Sequence, residues 1–191
     1  MATARNRRRG GQAVKVVVTG PFAAGKTTLI RTISEITVLS TERGITDSTR
    51  SRKAETTVAM DFGRITIDRD LVLYLFGTPG QERFDFMWEI LGEGMIGYLL
   101  LVDAEREDSV TEAAGILEAF RRMARVPYVV ALNRASAEDH ELTERVRETL
   151  GIPSDVAILA CDATDKESVK NVLLALLYAV LDEVETEAVR A

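Results

Sequence analysis

The chain has almost no cysteine. Cys161 stands alone among 191 residues, so no internal disulfide forms and the cytosol is the expected compartment. It has no long apolar run, and nothing approaches the roughly 18 residues that cross a membrane. No secretory signal is expected, because the basic N-terminus is not followed by an apolar stretch within the tail. Acids are missing before Ala13, where Arg5, Arg7, Arg8 and Arg9 stand. The whole chain has 24 basic and 30 acidic residues, a net charge of −6. Setting those four arginines aside leaves 20 against 30, so the body is near −10 and is a poor general binder of nucleic acid. Histidine is equally scarce. The single one, His140, falls in a charged helical stretch and reads as a surface residue. No internal repeat is visible.

What remains is a globular profile, with 46% hydrophobic and 28% charged residues, long enough for one domain with a full core. Residues 1–12 read as a disordered basic tail. It is suited at most to weak peripheral contact with an anionic membrane, at about 1 kcal/mol per arginine. Residues 13–191 read as the domain.

The densest signal is Gly20-Pro21-Phe22-Ala23-Ala24-Gly25-Lys26-Thr27-Thr28. It follows the apolar run Val14 to Val18, precedes a helical pattern, and fits G-x-x-x-x-G-K-[ST], the phosphate-binding P-loop. Gly20 and Gly25 permit backbone angles that let successive N–H groups turn inward around a phosphate. The helix that starts near Gly25 adds the positive end of its dipole. Lys26 supplies a charge for the β- and γ-phosphates, and Thr27 a hydroxyl for Mg²⁺. Phe22, Ala23, Ala24 and Thr28 complete the cradle.

Periodicity orders the rest. A first strand is expected over 14–19 and a helix over 25–36. Residues 37–57 are mostly polar and hold few large apolar side chains, a loop length that usually signals function. An alternating strand over 58–67 and a second over 71–76 form a hairpin around Asp68-Arg69-Asp70. Gly77-Thr78-Pro79-Gly80 breaks the chain before a short helix to about residue 91. Strands over 95–102, 127–132 and 156–160 alternate with helices over 109–123, 137–150 and 166–184. Ser109 with Glu112 reads as a capping box, and Gly151 as a helix stop. The pattern predicts an α/β domain in three layers, with a six-stranded, mostly parallel sheet and one antiparallel strand. Right-handed crossovers should gather the P-loop, Thr57, Gly80, Asn133 and the loop after Ala160 at one sheet edge.

Taken together, these stretches resemble the Ras-like small GTPases from Ala13 onward, and among them the bacterial MglA and conservon-type GTPases. Thr56-Thr57-Val58-Ala59-Met60-Asp61-Phe62 looks like the end of switch I, and Thr78-Pro79-Gly80-Gln81-Glu82-Arg83-Phe84 like switch II. The resemblance implies a P-loop NTPase of the small G-protein kind, binding GTP and GDP with Mg²⁺. Thr57 would ligate Mg²⁺ beside Thr27, with Thr56 as the fallback. The Gly80 amide would meet the γ-phosphate, and Gln81 would orient the attacking water. Asn133 and Arg134 would read or stack on the base, and Asp162 and Ala163 would meet its edge. The implied partners are a roadblock-fold regulator, a sensor-kinase complex and an activator of hydrolysis.

Departures from that pattern are specific. Gly77 stands where the family has a magnesium-holding Asp, so either metal binding is weaker or another carboxylate such as Asp61 or Asp103 substitutes. Asn133-Arg134-Ala135-Ser136 replaces Asn-Lys-x-Asp, a loss of about 1–3 kcal/mol of base discrimination by analogy with base reading in general. Asp139 could replace that acid only with a shifted helix start. Phe22 takes a position where relatives carry Gly and would slow hydrolysis. Trp88 with Phe84 or Phe86 reads as packing or as a partner patch. Arg43, Arg50 and Arg52 read as solvated or as an arginine finger in cis. Cys161 reads as packing, with no activating neighbour in sequence. Three functions stay open: a slowly hydrolysing GTP switch, an ATP-using P-loop NTPase or phosphotransferase, and a nucleotide-binding adaptor without turnover.

Overall fold

The structure, a computed structural model, describes residues 12–40, 60–80 and 86–190. The arginine tail, most of the polar loop before Asp61 (with Arg43, Arg50, Arg52, Thr56 and Thr57), and Gln81 to Asp85 lie outside the described residues.

The valine run Val14 to Val18 forms the centre of β1 (Gln12–Thr19). Consecutive side chains of a strand point to opposite faces, and here both faces are covered. Val16 and Val18 pack in one core with Leu29, Ile30 and Ile33 of α1 (Lys26–Ile33). The same core holds Val169, Val172, Leu173 and Leu176 of α5 (Lys166–Arg190). Val17 packs in the other core with Trp88 of α2 (Phe86–Gly92), Leu117 and Phe120 of α3 (Glu107–Met123), and Val146 of α4 (His140–Leu150). Burying a leucine or valine fully is worth about 1.5–3 kcal/mol. A sheet clothed on both faces therefore carries most of the driving force.

The remaining strands are β2 (Leu39–Ser40), β3 (Asp61–Asp68), β4 (Leu71–Gly77), β5 (Gly97–Asp103), β6 (Tyr128–Asn133) and β7 (Ile158–Cys161). Their order is β2-β3-β4-β1-β5-β6-β7. β1 runs parallel to β4 and β5, β5 to β6, and β6 to β7, while β3 is antiparallel to β4. The α/β, mostly parallel architecture with one reversed strand is thus as expected. The two-residue β2 adds a seventh strand at the edge, antiparallel to β3.

Several boundaries move. α1 stops at Ile33 rather than residue 36, because Ser34 is extended and its N–H closes on the Ile30 carbonyl. The alternating strand begins at Asp61 rather than residue 58. Ser109 is not a helix cap. Arg106 holds that place, and the Ser109 hydroxyl accepts the Asp103 N–H at 2.9 Å. α4 starts at His140, capped by Asp139, whose carboxylate accepts the Leu142 N–H at 2.9 Å. α5 runs on to Arg190. The carboxyl ends of β1, β5, β6 and β7 then bring the P-loop, Asp103, Asn133 and Cys161 to one edge.

Candidate functional site

The loop between β1 and α1 is built on left-handed backbone. Gly20 has φ 141°, Ala23 φ 60° and Gly25 φ 105°. Gly20 also presses on β5, where a Cβ would stand 2.0 Å from the Leu101 carbonyl oxygen. Only glycine combines that angle with that approach. The Lys26 ammonium donates to the Gly20 and Pro21 carbonyls at 2.7 and 2.6 Å, which holds the charge across the mouth of the loop. Phe22, Ala23, Gly25, Lys26, Thr27 and Thr28 line a cavity of about 280 Å³ with Asp61, Gly80 and Arg134. Left-handed backbone, a lysine and a helix N-terminus around one cavity are the parts from which a polyanion site is built.

A larger groove of about 1020 Å³ opens beyond Phe22 between α2 and α3. Trp88, Ile116 and Met123 wall it with Arg122, Glu89 and Glu112, and two carboxylates against one cation are poor chemistry for a phosphate. The smaller cavity is therefore the candidate site.

Gly80 lies directly on the P-loop. A Cβ there would meet the Phe22 nitrogen at 2.5 Å and the Pro21 carbonyl carbon at 2.7 Å. Upstream, the Thr78 hydroxyl donates to that of Thr19 at 2.9 Å, and the Thr78 N–H to the Val18 carbonyl at 3.0 Å. These contacts tie the segment after β4 to the root of the loop. Trp88 is buried, and its indole N–H reaches the Pro79 carbonyl at 3.1 Å, so it is a packing residue. Phe86 is half exposed. Phe84, Gln81 and Thr57 lie outside the described residues.

Asn133, at the end of β6, joins the two outer loops. Its amide nitrogen donates to the Ala24 carbonyl at 2.9 Å, and its carbonyl accepts the Ala163 N–H at 3.0 Å. The Thr32 hydroxyl donates to the Ala163 carbonyl at 2.7 Å. The Ala163 N–H is therefore held by Asn133. Arg134 has φ 65° and pairs with buried Asp103. The Ser136 hydroxyl accepts the Glu138 N–H at 3.3 Å. The Asp162 carboxylate accepts from the Thr164 hydroxyl and N–H at 2.6 and 2.8 Å. These two bonds, the hydroxyl's first, hold its carboxyl below the usual range. The start of α4 is shifted from residue 137 to His140, and the Asp139 carboxylate is engaged as its cap.

Two features were faint or hidden in the sequence. Of the carboxylates offered in place of position 77, Asp103 goes to Arg134, whereas Asp61 accepts the Thr27 hydroxyl at 2.5 Å. Arg106 was not singled out. Its guanidinium donates to the Phe22 carbonyl at 2.6 Å and pairs with Asp108 at 3.0 Å and Glu112 at 3.2 Å. The hydrogen bond to Asp108 is the largest influence raising its pKa. No motif marks an arginine 84 residues from the carbonyl it holds.

Comparison with known proteins agrees with a nucleotide site. The family described as "Conserved hypothetical ATP binding protein" matches residues 39–183. An uncharacterized protein of Methanocaldococcus jannaschii is 31% identical over 131 residues, covering 69% of this chain and 76% of its own length. The chain belongs to that ATP-binding family. The family match starts beyond the P-loop, so the motif at Gly20 to Thr28 is a separate observation pointing the same way.

Proposed function

We propose that this member of the ATP-binding family is a nucleotide switch of the Ras-like, MglA and conservon-like kind, binding GTP and GDP and hydrolysing GTP slowly. The observation that carries this reading is Gly80 seated against the P-loop backbone at Phe22. A glycine amide brought there after a strand is placed to sense a terminal phosphate, and its missing side chain lets the segment move when that group leaves. A kinase or transferase has no need of such a contact.

In this reading the P-loop amides and Lys26 bind the β- and γ-phosphates. The Gly80 amide holds the terminal phosphate, and Gln81 orients water. Thr27 and Thr57 hold Mg²⁺. Among the described residues no group of three or more His, Cys, Asp or Glu forms a metal cage. A hard cation that shares its shell with phosphate and water fits that sparse donor set. When bound, it would offset charge on the phosphate oxygens. Asn133 sets the spacing of the P-loop and the base loop and keeps the Ala163 N–H for itself, so Arg134 and Asp162, rather than that N–H, would face the base. Output would come from residues 37–57 and 77–92 exchanging two arrangements. A roadblock-fold regulator, a sensor kinase, an activator of hydrolysis and a cytoplasmic setting belong to the same proposal, as does weak membrane contact through the tail.

An ATP-using NTPase is the second reading. It is favoured by the engagement of Ser136, Asp139 and Asp162 within their own loops, so that none of these three is set aside for guanine's donor edge. Both readings face one experiment: titration of nucleotide-free protein with GTP against ATP in Mg²⁺, alongside Lys26→Ala. GTP displacing ATP supports the first reading, and the reverse supports the second. Unchanged affinity in Lys26→Ala refutes the P-loop assignment.

A further inference from the structure

The peptide joining Phe22 to Ala23 stands between two spaces. Phe22 lines both the phosphate cavity and the groove between α2 and α3, whereas Ala23 lines the cavity and not the groove. Arg106 meets this peptide from the groove side. Its guanidinium donates to the Phe22 carbonyl at 2.6 Å and pairs at 3.2 Å with Glu112, which lines the groove and not the cavity. Asp108, at 3.0 Å, fixes the guanidinium as well. In a planar trans peptide the C=O and the N–H point to opposite sides. A Phe22 carbonyl held toward the groove therefore turns the Ala23 N–H toward the cavity.

That orientation opposes the local preference. Ala23 has φ 60°, a left-handed angle that a residue with a Cβ resists. Rotating the peptide about its two flanking bonds would return Ala23 to extended backbone and carry its N–H out of the cavity. The Ala23 side chain is exposed, so packing does little to hold the angle. The turn's own bond, from the Ala24 N–H to the Pro21 carbonyl, is long at 3.3 Å. We propose that Arg106 is a positioning residue for the phosphate, pinning the Phe22–Ala23 peptide so that the Ala23 amide faces the cavity before nucleotide arrives. The left-handed angle is then imposed by the fold rather than by the ligand, which is preorganisation. The inference rests on the reading of the P-loop as a nucleotide site. It holds for either base, since the peptide borders the phosphate cavity.

The test compares Arg106→Met, which keeps an apolar stem and removes the donors, with Arg106→Lys, which keeps an ammonium donor. The probes are N-methylanthraniloyl-GDP and its adenine counterpart, and the readout is release into excess unlabelled nucleotide. Arg106→Met should release about 10-fold faster, equivalent to one hydrogen bond to a charged group. Arg106→Lys should fall between it and wild type. A probe of either base should be loosened by the same factor. Ala23→Gly takes φ 60° without strain, so adding it to Arg106→Met should slow release again. A merely structural role for Arg106 gives no such rescue. Release from Arg106→Met at the wild-type rate overturns the proposal, as does a double variant no slower than Arg106→Met. Should Arg106→Met lose its fold, judged by circular dichroism, Arg106→Lys with and without Ala23→Gly decides by the same two criteria. If wild-type protein binds neither probe, the nucleotide reading itself falls. If it binds a probe and these criteria fail, only this inference falls.

Discussion

Asn133 is the joint through which the P-loop and the loop after β7 are held at a fixed spacing. Replacing it with alanine tests that directly. Asn133 is 4% exposed, and its two partners, Ala24 and Ala163, are 0% and 2% exposed. Neither the Ala24 carbonyl nor the Ala163 N–H can turn to water, because both belong to packed backbone. Leaving a buried donor or acceptor unpaired costs about 1–3 kcal/mol, so two of them together predict a loss of about 3 kcal/mol. For a domain of this size, each kcal/mol moves the melting midpoint by about 2–4 °C, giving a fall of about 6–12 °C. The assay is urea unfolding of nucleotide-free protein. Trp88, the single tryptophan, is buried against Phe120 and reports solvent entry. Nucleotide release should accelerate in parallel, because Gly25 sits against the same side chain. A Cβ on Gly25 would meet the Asn133 nitrogen at 2.5 Å. A loss below about 1 kcal/mol, with release unchanged, would mean that the two loops hold their spacing without Asn133.

One further substitution and one labelling experiment probe the far side of the sheet and the last strand. The Tyr98 hydroxyl is buried with no hydrogen-bond partner among the described residues. That burial, more than the neighbouring Tyr128, raises its pKa. The ring stacks on Tyr128 and tilts against Phe120 with centroids 5.0 Å away in each case. Tyr98→Phe keeps those contacts and removes the orphaned group, so stability should rise by about 1 kcal/mol in urea. A loss would show that the hydroxyl is satisfied in solution. For Cys161, burial pushes the thiol from its ordinary 9.0 up to about 11, against a smaller lowering by Ser168. At pH 8 iodoacetamide should label the folded protein about 100-fold more slowly than the unfolded chain. Because the folded pKa lies above the unfolded one, the thiol's contribution to stability is intact below about pH 9 and disappears by about pH 11. Equal labelling rates would place Cys161 at the surface.

The sequence made the fold legible because its strongest signals were local. The valine run of β1 reads as a strand wherever it is placed, and Gly20 to Thr28 needs no distant residue to be recognised. The place of Asn133 at the end of an apolar strand was legible too, but its two hydrogen bonds to Ala24 and Ala163 were not, because both partners come from other loops. What stayed hidden depends on pairings made only by the fold. Ser109 and Glu112 have the spacing of a capping box. The tertiary contact won, and Ser109 turned to the Asp103 N–H of the preceding strand. Arg106 reaches across to Phe22 through a loop whose path no periodicity encodes.

The choice between Asp61 and Asp103 is the sharpest case. Both acids flank apolar strands, and both lie near the P-loop in the topology. Strand register decides between them. Asp103 faces Asn133 across β5 and β6, so it meets Arg134. Asp61 faces Gly77 across β3 and β4, so it meets Thr27. A shift of one residue in the β3–β4 pairing would turn Asp61 to the opposite face of the sheet, away from Thr27. The apolar residues of β3 and β4 prevent that slip, because Ile65, Leu73 and Leu75 would lose their place in the α1 core with it. The position of one carboxylate at the phosphate site is thus set by hydrophobic packing along the whole hairpin. A substitution at Ile65 that loosens the register would be felt first at Thr27.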